Sequence, residues 1–299
     1  MRHGRRRFVV GFLAAPLLLY VVLVISPYVQ AFRISMTDWR GVSATPDFIG
    51  LDNFRRLLDD DVFWTALRHN VILLLVLPVV TIAIALLFAS LLTSGGRRGG
   101  VVGSKFYRVT FFLPQVLAVA VLAVLFQAVL KADSGGMING PLIAGGLEPI
   151  GFLTEPGLAL WSIMGVLVWQ SVGFYVVLFC AGMSSIPTEL YEAAQLDGAS
   201  RPQLFFRITL PLLRDTVQVA WVYLGMLALD AFAVVWVLSV DYGGPDRSTV
   251  VIATEVFRNA FIYSQFGYAA AMGVALFFLS LTFAALTLRL TSRERIDYS

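Results

Sequence analysis

Charge is what this chain has least of. Asp, Glu, Lys and Arg make up 14% of its 299 residues, against about 25% in a soluble domain. With 58% apolar residues and a mean hydropathy of +0.80, it lacks the polar surface to face water alone, and one domain of membrane helices is the natural reading. A single cysteine, Cys180, sits in an apolar run; no intrachain disulfide is possible and no redox pair exists. The two histidines, His3 and His69, are far apart and have no second ligand nearby, which excludes the usual metal clusters. The net charge of +3 comes without a basic patch interleaved with aromatics, so nucleic-acid binding is excluded.

What the chain does have is six apolar stretches near the roughly 20 residues a bilayer crossing needs. They run approximately 8–32, 70–93, 109–130, 158–182, 216–240 and 265–288. Each is expected to be helical, because backbone in lipid must satisfy its own hydrogen bonds. Arg5, Arg6 and Arg7 before the first stretch, and Val29-Gln30-Ala31 near its end, loosely imitate a signal peptide. The apolar run is too long for one and is read as a retained first helix. With the N-terminus inside, the cytoplasmic side holds 14 of the 22 Lys and Arg: Arg2, Arg5, Arg6, Arg7, Arg97, Arg98, Lys105, Arg108, Arg201, Arg207, Arg214, Arg289, Arg293 and Arg295. The positive-inside rule thus favours both termini in the cytoplasm.

The polar segments carry the rest. Residues 33–66 form an external loop in which Asp59, Asp60 and Asp61 read as a solvated face; a turn at Phe48-Ile49-Gly50 leads there into a short amphipathic helix. Residues 94–108 form a cytoplasmic loop. Its Gly99-Gly100-Val101-Val102-Gly103-Ser104-Lys105 fails as a phosphate loop: the Lys does not follow a Gly, and a membrane helix follows where an α/β core should be. The external loop 131–157 contains the turn-forming run Gly135 to Pro141, and Tyr242-Gly243-Gly244-Pro245 is another such run.

Between the fourth and fifth stretches, residues 183–214 hold Glu192-Ala193-Ala194, then Asp197-Gly198, then Ile208-Thr209-Leu210-Pro211. This is EAA-x3-G-x9-I-x-L-P without a mismatch. Local rules predict a short helix over Glu189–Leu196, a positive φ at Gly198, a second helix over Arg201–Ile208, and an elbow closed by Leu210-Pro211. Two helices meeting at a glycine make a knob that fits a groove on a partner. The segment resembles the signature loop of permease subunits of binding-protein-dependent ABC importers. Phe48 to Phe54, Phe112-Leu113-Pro114, Gly136-Met137-Ile138-Asn139, Asp197-Gly198-Ala199 and Gly243-Gly244-Pro245 look like landmarks of the carbohydrate-uptake branch, and of its first, maltose-type permease. The chain departs from that subunit in having six helices rather than eight and no large inserted external domain.

The resemblance implies an all-α membrane protein of six transmembrane helices with a cytoplasmic coupling-helix loop, in the bacterial cytoplasmic membrane. It implies a second permease, an ATPase dimer and an external sugar-binding protein as partners, with ATP and Mg bound by the ATPase and no cofactor or catalytic residue in this chain. Contact with the ATPase falls to Glu192, Ala193, Ala194, Asp197, Gly198, Ile208, Leu210 and Pro211. Polar groups flanking the loop are implied to touch sugar. Here those positions offer Gln170 with Phe174, and Ser171 with Tyr175, each pair four apart on one helix face. On the fifth helix the positions expected to carry amides are apolar except Asp230, so maltose specificity is not inherited. A carboxylate within a membrane segment costs about 2.5 kcal/mol or more and seeks a partner or a wet cavity; Asp230 suits a sugar, a pairing with the second permease, or proton coupling. Polyol or glycerol phosphate is an alternative cargo. An ion-coupled carrier would want several buried charges, and a membrane-embedded enzyme paired carboxylates or a metal cluster; the sequence supplies neither.

Overall fold

The structure is a computed structural model describing residues 2–42, 46–93 and 103–291. Residues Arg97, Arg98, Gly99–Val102, Arg293 and Arg295 lie outside these. Among the described residues the regular structure is helical, apart from one isolated bridge between Thr37 and Phe48.

The elements follow the hydrophobic runs, with breaks that the runs do not show. The first run is α1 (Arg2–Tyr20), a π-helical turn Val21–Ile25, and α2 (Ser26–Ile34). The wide turn sits just before Pro27, and Ser26 N–H bonds Val21 O five residues back. Opening the turn relieves the clash of the proline ring with the carbonyl four residues before it. Then come α3 (Asp52–Leu58) and α4 (Asp61–Thr93). The predicted span 109–130 is two helices, α5 (Ser104–Val116) and α6 (Val119–Val129), bent by 98°. Pro114 removes a ladder amide; Leu117 and Ala118 turn extended just beyond it. Next follow α7 (Asn139–Ala144) and α8 (Pro156–Ser184). The knob region holds α9 (Thr188–Leu196), α10 (Arg201–Leu204), a π-turn Phe205–Thr209 and α11 (Leu210–Leu212). The predicted span 216–240 is α12 (Arg214–Leu229) and α13 (Phe232–Leu238), broken at Asp230-Ala231. Last are α14 (Ile252–Phe257), a π-turn Arg258–Ile262 and α15 (Phe266–Thr291). Among the described residues, four helical runs are long and apolar enough to cross a membrane, and up to six if each bent pair is one span.

Two compact units divide the chain. In Met1–Trp64 with Glu255–Leu279, the segment between α2 and α3 is tied down by Asn53, which donates to Ser35 O at 2.9 Å and Thr37 O at 2.8 Å. Of the expected solvated face, Asp59 and Asp61 are exposed, whereas Asp60 is half-buried and bonded. Asp60 caps α4, accepting from Val62 N–H at 2.8 Å, and its other oxygen accepts from Tyr268. A helix start leaves amides unpaired, and this carboxylate satisfies them.

In Thr65–Thr254 with Ser280–Ser299, α8 is the central post. Ile163, Leu167, Val176 and Phe179 are buried with Leu73 and Leu77 of α4, Leu122 of α6, Leu224 of α12 and Leu238 of α13. A helix apolar on all sides must be wrapped by others. Gly173 is where α5 comes closest: a Cβ there would lie 1.6 Å from Phe111 O. The loops after α6 and α13 are pinned by buried amides. Asn139 donates to Lys131 O and Ile150 O and accepts from Ile150 N–H. Asn70 accepts from Ile252 N–H at 2.8 Å, and the His69 ring bonds Val250 O. His69 thus serves loop anchoring.

Candidate functional site

The segment 183–214 folds as an exposed elbow. Helix α9 ends in a double-bonded turn: Ala199 N–H bonds Ala194 O at 2.9 Å and Gly198 N–H bonds Gln195 O at 3.0 Å. Gly198 has φ +81°, a left-handed conformation that costs other L-residues about 1–2 kcal/mol. Ser200 then starts α10, its N–H donating to Gln203 Oε1 at 2.7 Å. The return path differs from the sequence expectation. The second helix does not stop at Ile208; it runs on through the π-turn Phe205–Thr209 into α11. That turn again precedes a proline, Pro211, and Leu210 N–H bonds Phe205 O. The bend, of 70°, falls at Leu213 rather than at Leu210-Pro211.

One hydrogen bond straps the two arms together: Tyr191 Oη to Thr209 Oγ1, 2.9 Å. Sequence reasoning missed both residues, since Thr209 occupies the unspecified position of Ile-x-Leu-Pro. Around the strap Leu204 and Leu213 are buried, while Glu192, Ala193, Asp197, Gly198 and Pro211 are exposed. Ala194, Ile208 and Leu210 are half-buried. Leu196 at the tip is 89% exposed and Phe206 64%. The knob is therefore rigid inside and presents apolar and acidic groups outside.

The five path candidates do not form one open face. Gln170, Ser171 and Tyr175 are buried on α8, whereas Phe174 is 41% exposed. Gln170 and Phe174 are four apart, but the approach of α5 at Gly173 covers the polar side and leaves the ring outside, 6.4 Å from Phe112. The Tyr175 ring packs edge-on against Phe174, with centroids 5.1 Å apart. Asp230 is exposed and ends α12, its N–H bonded to Met226 O. Val219, Tyr223, Met226 and Asp230 thus follow one another along an exposed face of α12. Arg108, placed by sequence in a cytoplasmic loop, is within α5; its Nε is buried, and its side chain reaches Cys180. Among the described residues no group of three His, Cys, Asp or Glu is placed to hold a metal.

A helical chain with several runs long and apolar enough to cross a membrane, and an exposed elbow between α8 and α12, has the architecture of a membrane transport component. The chain matches the family described as "Binding-protein-dependent transport system inner membrane component" over residues 7–296, and it belongs to that family. It is 44% identical, over 96% of its length and 82% of the relative's, to the diacetylchitobiose uptake system permease protein of Streptomyces coelicolor. It is 32% identical, over 95% of both chains, to the multiple sugar-binding transport system permease protein of Streptococcus mutans. Among solved structures it is similar to a chain of a bacterial ABC transporter importing alginate, with TM-score 0.82 and 23% identity over 97% and 98% of the two chains. That likeness shows the fold.

Proposed function

We propose that this chain is one of two different permeases of an ATP-driven importer that moves a di- or oligosaccharide into a bacterial cytoplasm. A binding protein delivers the sugar outside, and a separate ATPase dimer, holding ATP and Mg, docks on the exposed elbow inside. The elbow carries the reading: an internally strapped knob with an apolar tip at Leu196 is built to be seated in a groove. Its rigidity lets movement of the ATPase pass to α8 and α12 as one body. The driving energy is the difference in ATP affinity between two states of the assembly. No cofactor is required in this chain, and both termini lie in the cytoplasm.

Relatives named for diacetylchitobiose, multiple sugars and lactose support a glycan cargo. The path candidates contribute the Asp230 carboxylate, aromatic rings and no cation, which favours a neutral glycan over a polyol phosphate. Reconstitution in nanodiscs with the second permease, the ATPase and the binding protein tests the reading. A sugar-loaded binding protein should stimulate ATP hydrolysis, with diacetylchitobiose, maltose and lactose as the starting panel. Glu192→Lys and Gly198→Val should abolish that stimulation while leaving membrane insertion intact; undiminished uptake by either variant would count against the reading.

A further inference from the structure

An aromatic strip at the end of α13 has no role in the elbow or among the path residues above. Phe232 and Trp236, four apart on α13, stack with ring centroids 5.6 Å apart at 25°. Trp236 continues onto Tyr242, 4.8 Å away at 34°. The last rings edge an open pocket of about 410 Å³ lined by Gln127, Trp236, Val237, Ser239, Asp241 and Tyr242. That volume falls within the roughly 300–1,000 Å³ of small-ligand sites.

The polar part of the pocket is built by helix ends. The stop of α13 at Leu238 frees the Val237 carbonyl, and the Gln127 side-chain amide of α6 donates to it. Gln127 Oε1 is then left as an acceptor. Ser239 Oγ is fixed against Thr249 Oγ1 at 2.7 Å. Asp241 and Tyr242 have φ of +51° and +61°, a left-handed conformation that Asp adopts more readily than most residues and that costs a bulky Tyr energy. The strain holds a carboxylate and a phenol at the pocket rim in place of a relaxed turn.

We infer that this pocket is an outer sugar site, which receives a neutral pyranose ring on its way from the binding protein to the path below. The inference rests on the proposed import of a glycan. A pyranose has an apolar face of C–H bonds that lies against aromatic faces, and a rim of hydroxyls that donate to carboxylate and amide oxygens. The Asp241 carboxylate disfavours acidic sugars. An interfacial aromatic belt, the other common use of Trp and Tyr in membrane proteins, does not account for rings stacked on each other around a carboxylate and a carboxamide.

Uptake of radiolabelled diacetylchitobiose, or of whichever panel disaccharide the wild type takes up, is measured in proteoliposomes holding the complete importer at saturating loaded binding protein. Trp236→Ala and Tyr242→Ala should each lower uptake about tenfold while stimulated ATP hydrolysis persists, so that less sugar moves per ATP. Trp236→Phe should restore uptake to within about threefold. Trp161→Ala, at an exposed ring on α8, should leave it unchanged. Should Trp236→Ala fail to assemble, Tyr242→Ala and Gln127→Leu, at exposed positions, carry the test. Normal uptake by the assembled variants, or equal loss in Trp161→Ala, overturns the outer site in favour of a membrane belt. Absence of uptake and of stimulated hydrolysis in the wild type with every sugar instead overturns the import reading itself.

Discussion

Two glycines in this chain are required for different reasons, and only one reason is visible in the sequence. Gly198 sits inside a recognisable spacing, and its positive φ is what a helix C-terminus of this kind demands. Gly173 is needed because α5 runs against it, with Phe111 O where a side chain would start. Small residues at helix contacts let backbones approach in this way. The neighbour is backbone and cannot swing aside. Gly173→Ala should therefore destabilise by about 1–3 kcal/mol, lowering the thermal denaturation midpoint in detergent by at least about 3 °C; a thermal-shift assay measures this. The residue-level reading of Gln170, Ser171, Phe174 and Tyr175 as two shared faces followed helical periodicity correctly, yet the covering of one face by α5 depends on a contact distant in sequence.

At the scale of elements, the hydrophobic runs bend at places that hydropathy does not mark, three of them beside prolines. Pro27 and Pro211 are each taken up by a π-turn, whereas Pro114 precedes a full break. Hydropathy is blind to this, because Leu117, Ala118 and Ala231 are as apolar inside a kink as inside a helix. The elbow depends on the strap between Tyr191 and Thr209. Thr209→Val removes the hydroxyl partner at nearly constant volume, a loss of about 1 kcal/mol. Deuterium exchange of the amides over 188–200 should speed up severalfold, and stimulated ATP hydrolysis should fall in the reconstituted importer while sugar binding by the binding protein is unchanged. Unaltered exchange would show that the two arms are held by packing around Leu204 and Leu213 alone.

For the whole molecule, the expectation that matters most is which end of each loop faces which compartment. Cys180 is buried, so its replacement by Ser provides a background for single-cysteine labelling. Cysteine at Leu196, exposed on the elbow, should react only with reagents admitted to the cytoplasm. Cysteine at Met137, 75% exposed, should react with an impermeant maleimide added outside. The reverse pattern at both positions would invert the topology and place the elbow away from any cytoplasmic ATPase.

The sequence by itself determined the medium, the helical class and the elbow. Scarce charge and long apolar runs leave few alternatives in lipid, and the Glu192-to-Pro211 spacing is a local code whose turns depend on residues a few positions apart. Only the tertiary structure decided that Asp60 bonds Tyr268, that Asn139 locks the loop after α6, and that Trp236 and Tyr242 meet over a pocket with Gln127. Each of these joins residues whose meeting is fixed by helix packing and loop closure. A polar side chain in an apolar chain reveals that it needs a partner; which partner it finds is settled by where the helices bend.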